Sequence, residues 1–233
     1  RAQELTPALG LAVDRDGIAV VAVVAGDGLA RVFQSLGVAS VIEGGQTMNP
    51  STQEILEAVE GLPNDQVIVL PNNKNIIMSA EQARDLSEKE VVVVPTRTIP
   101  QGVSAVLALN PQADLLANRE AMVEAMDAVR TGEITVATRD VNLNGLNVRQ
   151  GQVIGLLDDE LVVSAETPEQ VAHELLRRFD LPDMEIVTLY YGSDVSVAEA
   201  ERLTNQLRDE YSDLEFEVLE GGQPHYFYII SAE

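Results

Sequence analysis

Apolar residues run unbroken from Ile18 to Ala25, IAVVAVVA, and a β-branched run of this kind fits a strand buried on both faces of a parallel sheet. GDG at 26–28 then turns the chain into a short helix, Leu29 to Leu36, which Gly37 ends. The same grammar repeats three times. Strands Val38 to Ile42, Val67 to Leu70 and Val91 to Val94 are each followed by a polar loop and then a helix. The predicted helices run from about Thr52 to Glu60, from Ile76 to Leu86, and from TRTIPQ (96–101) to about Leu109. Ser51 with Glu54, and Thr98 with Gln101, have the capping-box spacing that satisfies orphan backbone donors at a helix start. Strands alternating with short helices predict βαβ units and a parallel sheet. All the loops that follow the strands then fall at one edge, the carboxyl edge, where open α/β sheets bind ligands.

The second half is patterned differently. After a turn at NPQAD (110–114), Leu115 to Val129 reads as an amphipathic helix and Ile134 to Val141 as a strand, followed by a turn at NLNG. Val153 to Leu157 and Leu161 to Ser164 flank Asp158-Asp159 as the arms of a hairpin. Thr167-Pro168-Glu169-Gln170 is a helix start with an N-cap and an early proline. Strand Glu185 to Tyr190, helix Val197 to Glu210, strand Leu214 to Leu219 and strand Tyr226 to Ser231 complete the chain. The reading is α/β and two-lobed, with a parallel-sheet first half and a mixed-sheet second half. Residues 1–10 form a linker, 11–113 the first α/β domain, and 114–233 a second with a β-hairpin. RAQELTPALG at the start and the missing initiator methionine predict a piece of a longer protein.

Composition narrows the function. The 233 residues, 45% hydrophobic and 23% charged, describe a globular chain with a sizeable core. No apolar run approaches the ~20 residues of a membrane helix, and these residues show no secretory n-region with a cleavage site, so a cytoplasmic location is expected. With no cysteine and only His173 and His225, thiolate chemistry is excluded and no metal site is expected. A net charge of −23, with scattered basic residues, argues against nucleic acid and anionic lipid as partners. The charge is also uneven: residues 1–113 carry 7 Lys+Arg and 13 Asp+Glu, the remainder 8 and 25. That asymmetry is either a solvated acidic surface or a face for a basic protein partner.

Candidate chemistry concentrates in the loops after the strands. The segment EGGQTMNPSTQE (43–54) places Gln46, Thr47 and Asn49 between a strand and a helix start, as a ligand loop or as a capped turn. The turn PNNKN adds Asn72, Asn73 and Lys74, and TRTIPQ adds Arg97 and Gln101. GDGLAR resembles the opening of a dinucleotide fingerprint but has Arg31 where the third glycine belongs; a tight turn capped by Asp27 is the alternative. His225, beside Tyr226 and Phe227, faces a cleft or packs there. No set of residues forms a catalytic constellation, and the EGGQ at 43–46 recurs at 220–223 without amounting to a repeat.

TMNPSTQEIL (47–56) followed by VPTRTIPQGVSAVLA (94–108) resembles the DegV family of fatty-acid-binding proteins, whose loops read TSQPS and D-S-[RK]-T-I-S-x-G-L. GGQTMNPS, LPNNKN, VPTRTIPQG and the ending LYYG…GGQPHYFYI resemble more closely the C-terminal region of the bacterial fatty acid kinase subunit that carries a dihydroxyacetone-kinase-like ATP-binding domain. The resemblance implies a two-lobed DegV-like fold and an upstream part that binds ATP and Mg, with no cofactor in this piece. It also implies a DegV-type acyl-carrying partner and a possible homodimer through the full-length subunit. Thr47 keeps the DegV carboxylate contact, whereas Ile76 and Ile77 stand where small donor groups belong. An apolar side chain cannot donate to a carboxylate. The expectation is a non-catalytic module on a binding-protein fold that has lost its ligand; the alternative is a DegV-like fatty acid or small-molecule binding domain.

Overall fold

A computed structural model describes residues 17–45, 48–143, 146–179 and 184–233. The expected linker at 1–10 lies outside the described residues. The first half alternates strand and helix: β1 (Ile18–Val24), α1 (Asp27–Ser35), β2 (Ser40–Glu43), α2 (Thr52–Glu60), β3 (Gln66–Leu70), α3 (Ile77–Leu86), β4 (Glu90–Val93) and α4 (Ile99–Leu107). The four strands form one sheet in the order β2-β1-β3-β4, every pair parallel. Period-two alternation explains the unbroken apolar run of β1. Val21 and Val23 pack with Ile55, Val59, Ile76 and Ala80 of the α2–α3 layer. Val20, Ala22 and Val24 pack with Leu29, Phe33, Val103 and Val106 of α1 and α4 on the other face.

α5 (Leu115–Ala128), capped by Asp114, follows the expected division near residue 113 and packs on α4, β3 and β4, so the first half's helical layer extends past that point. Then come β5 (Arg130–Val136), β6 (Val141–Leu143), β7 (Leu146–Val148), β8 (Val153–Leu157), β9 (Glu160–Ala165), α6 (Pro168–Leu176), β10 (Ile186–Tyr191), α7 (Val197–Glu210), β11 (Glu215–Glu220) and β12 (Tyr226–Ala232). Six of these strands form a mixed sheet, β11-β10-β12-β5-β8-β9, in which only β10 and β11 run parallel. Asp158 and Asp159, at φ 48° and 72°, make the tight β8–β9 turn in the left-handed region that Asp tolerates.

One strand differs from the sequence reading. The expected span is Ile134 to Val141, but β5 starts at Arg130, where it pairs with Ala232 of β12, and ends at Val136. Thr131 and Glu133 precede the expected strand, yet both are buried. The second sheet rests α6 and α7 on one face through Ile134, Val187, Leu189 and Ile230. Its other face meets the first half, with Tyr190 and Ile229 entering the core built on α1 and α4. Burying a large apolar side chain contributes roughly 2 kcal/mol, so this shared core is a strong join.

Candidate functional site at the strand ends

The carboxyl ends of β1 to β4 open on one side, as a parallel sheet requires, and three of the four following loops are held by contacts within this chain. After β1, Gly26 adopts φ 110° and serves as N-cap of α1 without a side-chain cap. A Cβ on Gly26 would stand 2.6 Å from the Gly221 carbonyl oxygen, and one on Gly28 would overlap the Glu220 carbonyl. Leu29 N donates to Gly221 O at 2.9 Å. The helix terminus where a dinucleotide phosphate would sit is thus filled by the chain's own backbone from 220 to 222. Gln223 anchors that segment, its Nε2 donating to Tyr190 O at 2.8 Å.

After β2, Gln46 and Thr47 lie outside the described residues. Around them Gly44 N donates to Val24 O at 3.0 Å, and Gly45 forms an isolated bridge with Met48. Asn49 is exposed, and Met48 is 61% exposed. Ser51 and Glu54 form the full capping box, and the Ser51 backbone and hydroxyl donors hold the Glu54 carboxyl below its ordinary value.

After β3, Asn72 is buried at φ 53° and its side chain is committed on both ends. Nδ2 donates to Val23 O at 3.0 Å, while Oδ1 accepts from Thr96 Oγ1 at 2.8 Å. Thr96 Oγ1 also accepts from Asn72 N at 3.0 Å, so one asparagine ties the ends of β1, β3 and β4 together. Gly102 of α4 lies against this amide so closely that a Cβ would overlap Asn72 Oδ1. Asn73 Oδ1 accepts from Asn75 N at 2.9 Å in a local turn. Ile76, fully buried in the α2–α3 core, is the N-cap of α3 and supplies no side-chain acceptor.

After β4, Thr98 Oγ1 accepts from Gln101 N, but the return bond of Gln101 Oε1 comes from Arg97 N at 2.8 Å. The Thr98 hydroxyl also bonds the Thr131 hydroxyl of β5 at 2.9 Å, linking the two halves. Arg97 is exposed. Lys74 reaches across as well, its Nζ 3.1 Å from Asp159 in the β8–β9 turn.

The sequence-derived candidates therefore divide. Asn49, Lys74 and Arg97 lie exposed on the rim, whereas Asn72, Asn73 and Gln101 are engaged in holding the loops. His225, exposed at φ 71°, stands elsewhere: its carbonyl accepts from Thr135 Oγ1, at the far end of β5 from Thr131. Four residue steps of strand separate those two threonines by about 13 Å. Glu133 escapes the sequence reading. It is 8% exposed, and burial, aided by Asp159 and opposed by Lys74, pushes its carboxyl up to about 7. Its signal is a lone acid one alternation from Thr131, just before the expected strand. Among the described residues no group of three or more His, Cys, Asp or Glu is placed to hold a metal ion, and no helix is long and apolar enough to cross a membrane. An open groove of about 500 Å³ lies away from these loops, between Leu146, Val163, Ala165 and His173.

This two-sheet frame is the fold of the DegV proteins. A DegV family protein from Corynebacterium glutamicum covers 93% of the chain and 96% of its own length at TM-score 0.65 and 15% identity. The fatty acid kinase B3 protein of Streptococcus pneumoniae, solved loaded with linoleic acid, covers 93% and 99% at TM-score 0.61 and 10% identity. The dihydroxyacetone kinase of C. freundii shares the fold over 94% of the chain and 48% of its own, at TM-score 0.63 and 16% identity. Residues 19–233 match the FakA-like C-terminal family of fatty acid kinase subunits, and the chain belongs to that family. Protein YloV of Bacillus subtilis is 43% identical over 214 residues, and an uncharacterized protein of Staphylococcus aureus strain USA300 is 38% identical over 215. Each match covers 92% of the chain but 39% of the relative, so the chain spans about two-fifths of their length.

Proposed function

We propose that this chain is the non-catalytic C-terminal module of a cytoplasmic fatty acid kinase subunit, and that it docks an acyl-carrying DegV-type protein. In this reading ATP and Mg bind the upstream part of the subunit, which also carries the phosphoryl transfer, and dimerisation of the subunit is a second service of the module. The observation that carries it is the filled junction of a binder's fold. Tyr190 and Ile229, 3% and 4% exposed, occupy the space between the halves together with α1 and α4 side chains. Gly221 and Asp159 close two of the strand-end loops from the other sheet. A packed junction supports docking over ligand capture. The rim offers Asn49, Lys74 and Arg97, with Met48 and Met78 exposed by 61% and 67% on the segments that follow β2 and β3. Apolar side chains ringed by polar ones suit a protein partner.

Titration calorimetry of an acyl-loaded DegV-type protein into the full-length subunit tests this. Binding should require the module, and Met48→Asp with Met78→Asp should weaken it by about tenfold or more. Binding that survives removal of residues 17–233 would end the docking reading. Acyl chains co-purifying with the module, detected by mass spectrometry, would instead favour the lipid-binding alternative.

A further inference from the structure

Glu133, Asp159 and Lys74 come from three separate segments and lie close enough to act on one another electrostatically. β5 carries Glu133 on the face that receives α4, one alternation beyond Thr131, whose hydroxyl bonds Thr98. The β8–β9 turn supplies Asp159, and the loop after β3 supplies Lys74, whose ammonium is engaged with Asp159 at 3.1 Å. Arg130 and Asp158, on the same edge, neutralise each other at 2.6 Å. α4 carries no titratable side chain, and the strand partners of Glu133 are Ile229 and Leu156. Glu133 itself is 8% exposed. The cluster holds one ammonium for two carboxylates, and one of those carboxylates belongs to a largely buried residue.

We propose that Glu133 is a proton-operated clasp between the two sheets: neutral, it leaves Lys74 to hold Asp159, and ionised, it loosens that join. The ionised form would stand buried with a like charge on Asp159 beside it, and Lys74, its counter-charge, is already shared with that aspartate. The proposal does not depend on the docking reading. Burial raises Glu133 to about 7 in the closed form, against an ordinary 4.5 once the join opens to water. The closed form therefore holds the proton longer. The join is at full strength below about pH 4.5, weakens by about tenfold per unit as pH rises toward 7, and is level above.

Hydrogen–deuterium exchange on the full chain, corrected for intrinsic rates, reads this in peptides covering 71–78 and 155–161. Local opening should rise on the order of 50-fold between pH 5 and 7.5 in the wild type and stay flat in Glu133→Gln. A flat wild-type profile, or the same rise in Glu133→Gln, overturns the clasp. Asp159→Asn provides an independent arm should Glu133→Gln fail to fold. Removing the neighbouring carboxylate should move the upper end of the window to lower pH, and an unmoved window overturns the proposal.

Discussion

The two sheets meet their surroundings with opposite chemistry. The first is parallel and covered on both faces by apolar side chains, from Val21 and Val23 on one side to Val20, Ala22 and Val24 on the other. The second is apolar toward α6 and α7, but toward the first half it presents Thr131, Glu133, Thr188 and Ser231 beside Tyr190 and Ile229. An apolar face asks only for volume, whereas every buried polar group asks for a partner. The join between the halves is consequently made of specific devices as well as packing: a glycine contact at Gly28, a hydroxyl pair at Thr98 and Thr131, and the Lys74–Asp159 bridge.

Gly28→Ala should have the largest effect on the join between the sheets. The added methyl would overlap the Glu220 carbonyl, and backbone on both sides leaves little to yield. Overpacking of this kind costs on the order of 3 kcal/mol, read as a lowered midpoint in urea unfolding. A loss under about 1 kcal/mol would mean that the 220–223 segment sits loosely on α1. Asn72→Ala comes next, at about 2–3 kcal/mol, because it strands Val23 O and the Thr96 hydroxyl at a position with positive φ. Asn72→Gly separates the two causes, since it relieves the backbone and leaves the lost hydrogen bonds.

How much of this can be read from the sequence follows the same division. The IAVVAVVA run announces β1, the capping box fixes α2 at Thr52–Glu60, and helix Val197–Glu210 falls where its pattern places it. These signals are local. The start of β5 is hidden because Thr131 and Glu133 are polar for reasons that lie elsewhere in the chain, in Thr98, Lys74 and Asp159. Asn72 is legible as a turn residue, but its partners Thr96 and Val23 are 24 and 49 positions away. The family resemblance finds the loops, while only the folded chain shows that the GDG turn, open to a phosphate on paper, is filled by Gly221.

Glu133→Gln sharpens the contrast in the other direction, because it should stabilise. The native carboxyl, raised to about 7, costs the fold up to about 3 kcal/mol above pH 7 and nothing below about 4.5. Glutamine cannot ionise, so its advantage should appear in chemical denaturation at pH 8 and vanish at pH 4.5. The first sheet, with no buried acid among its described residues, should give no comparable variant.

The smallest effect is expected three residues from the largest. Arg31 pairs with Glu220 at 3.1 Å across the same join that Gly28 makes, but the two side chains are 61% and 60% exposed. Such a pair is screened by water and salt and pins two long side chains, so Arg31→Ala should change stability by less than about 0.5 kcal/mol. The measurement is a urea midpoint compared with that of Gly28→Ala, at low and high salt. If Arg31→Ala approached the glycine variant, charge would be holding the halves together at α1, and the close backbone approach at Gly28 would follow from the ion pair. If it stays near wild type, the order of causes is the reverse: backbone fit sets the join, and the charges settle where that fit leaves them.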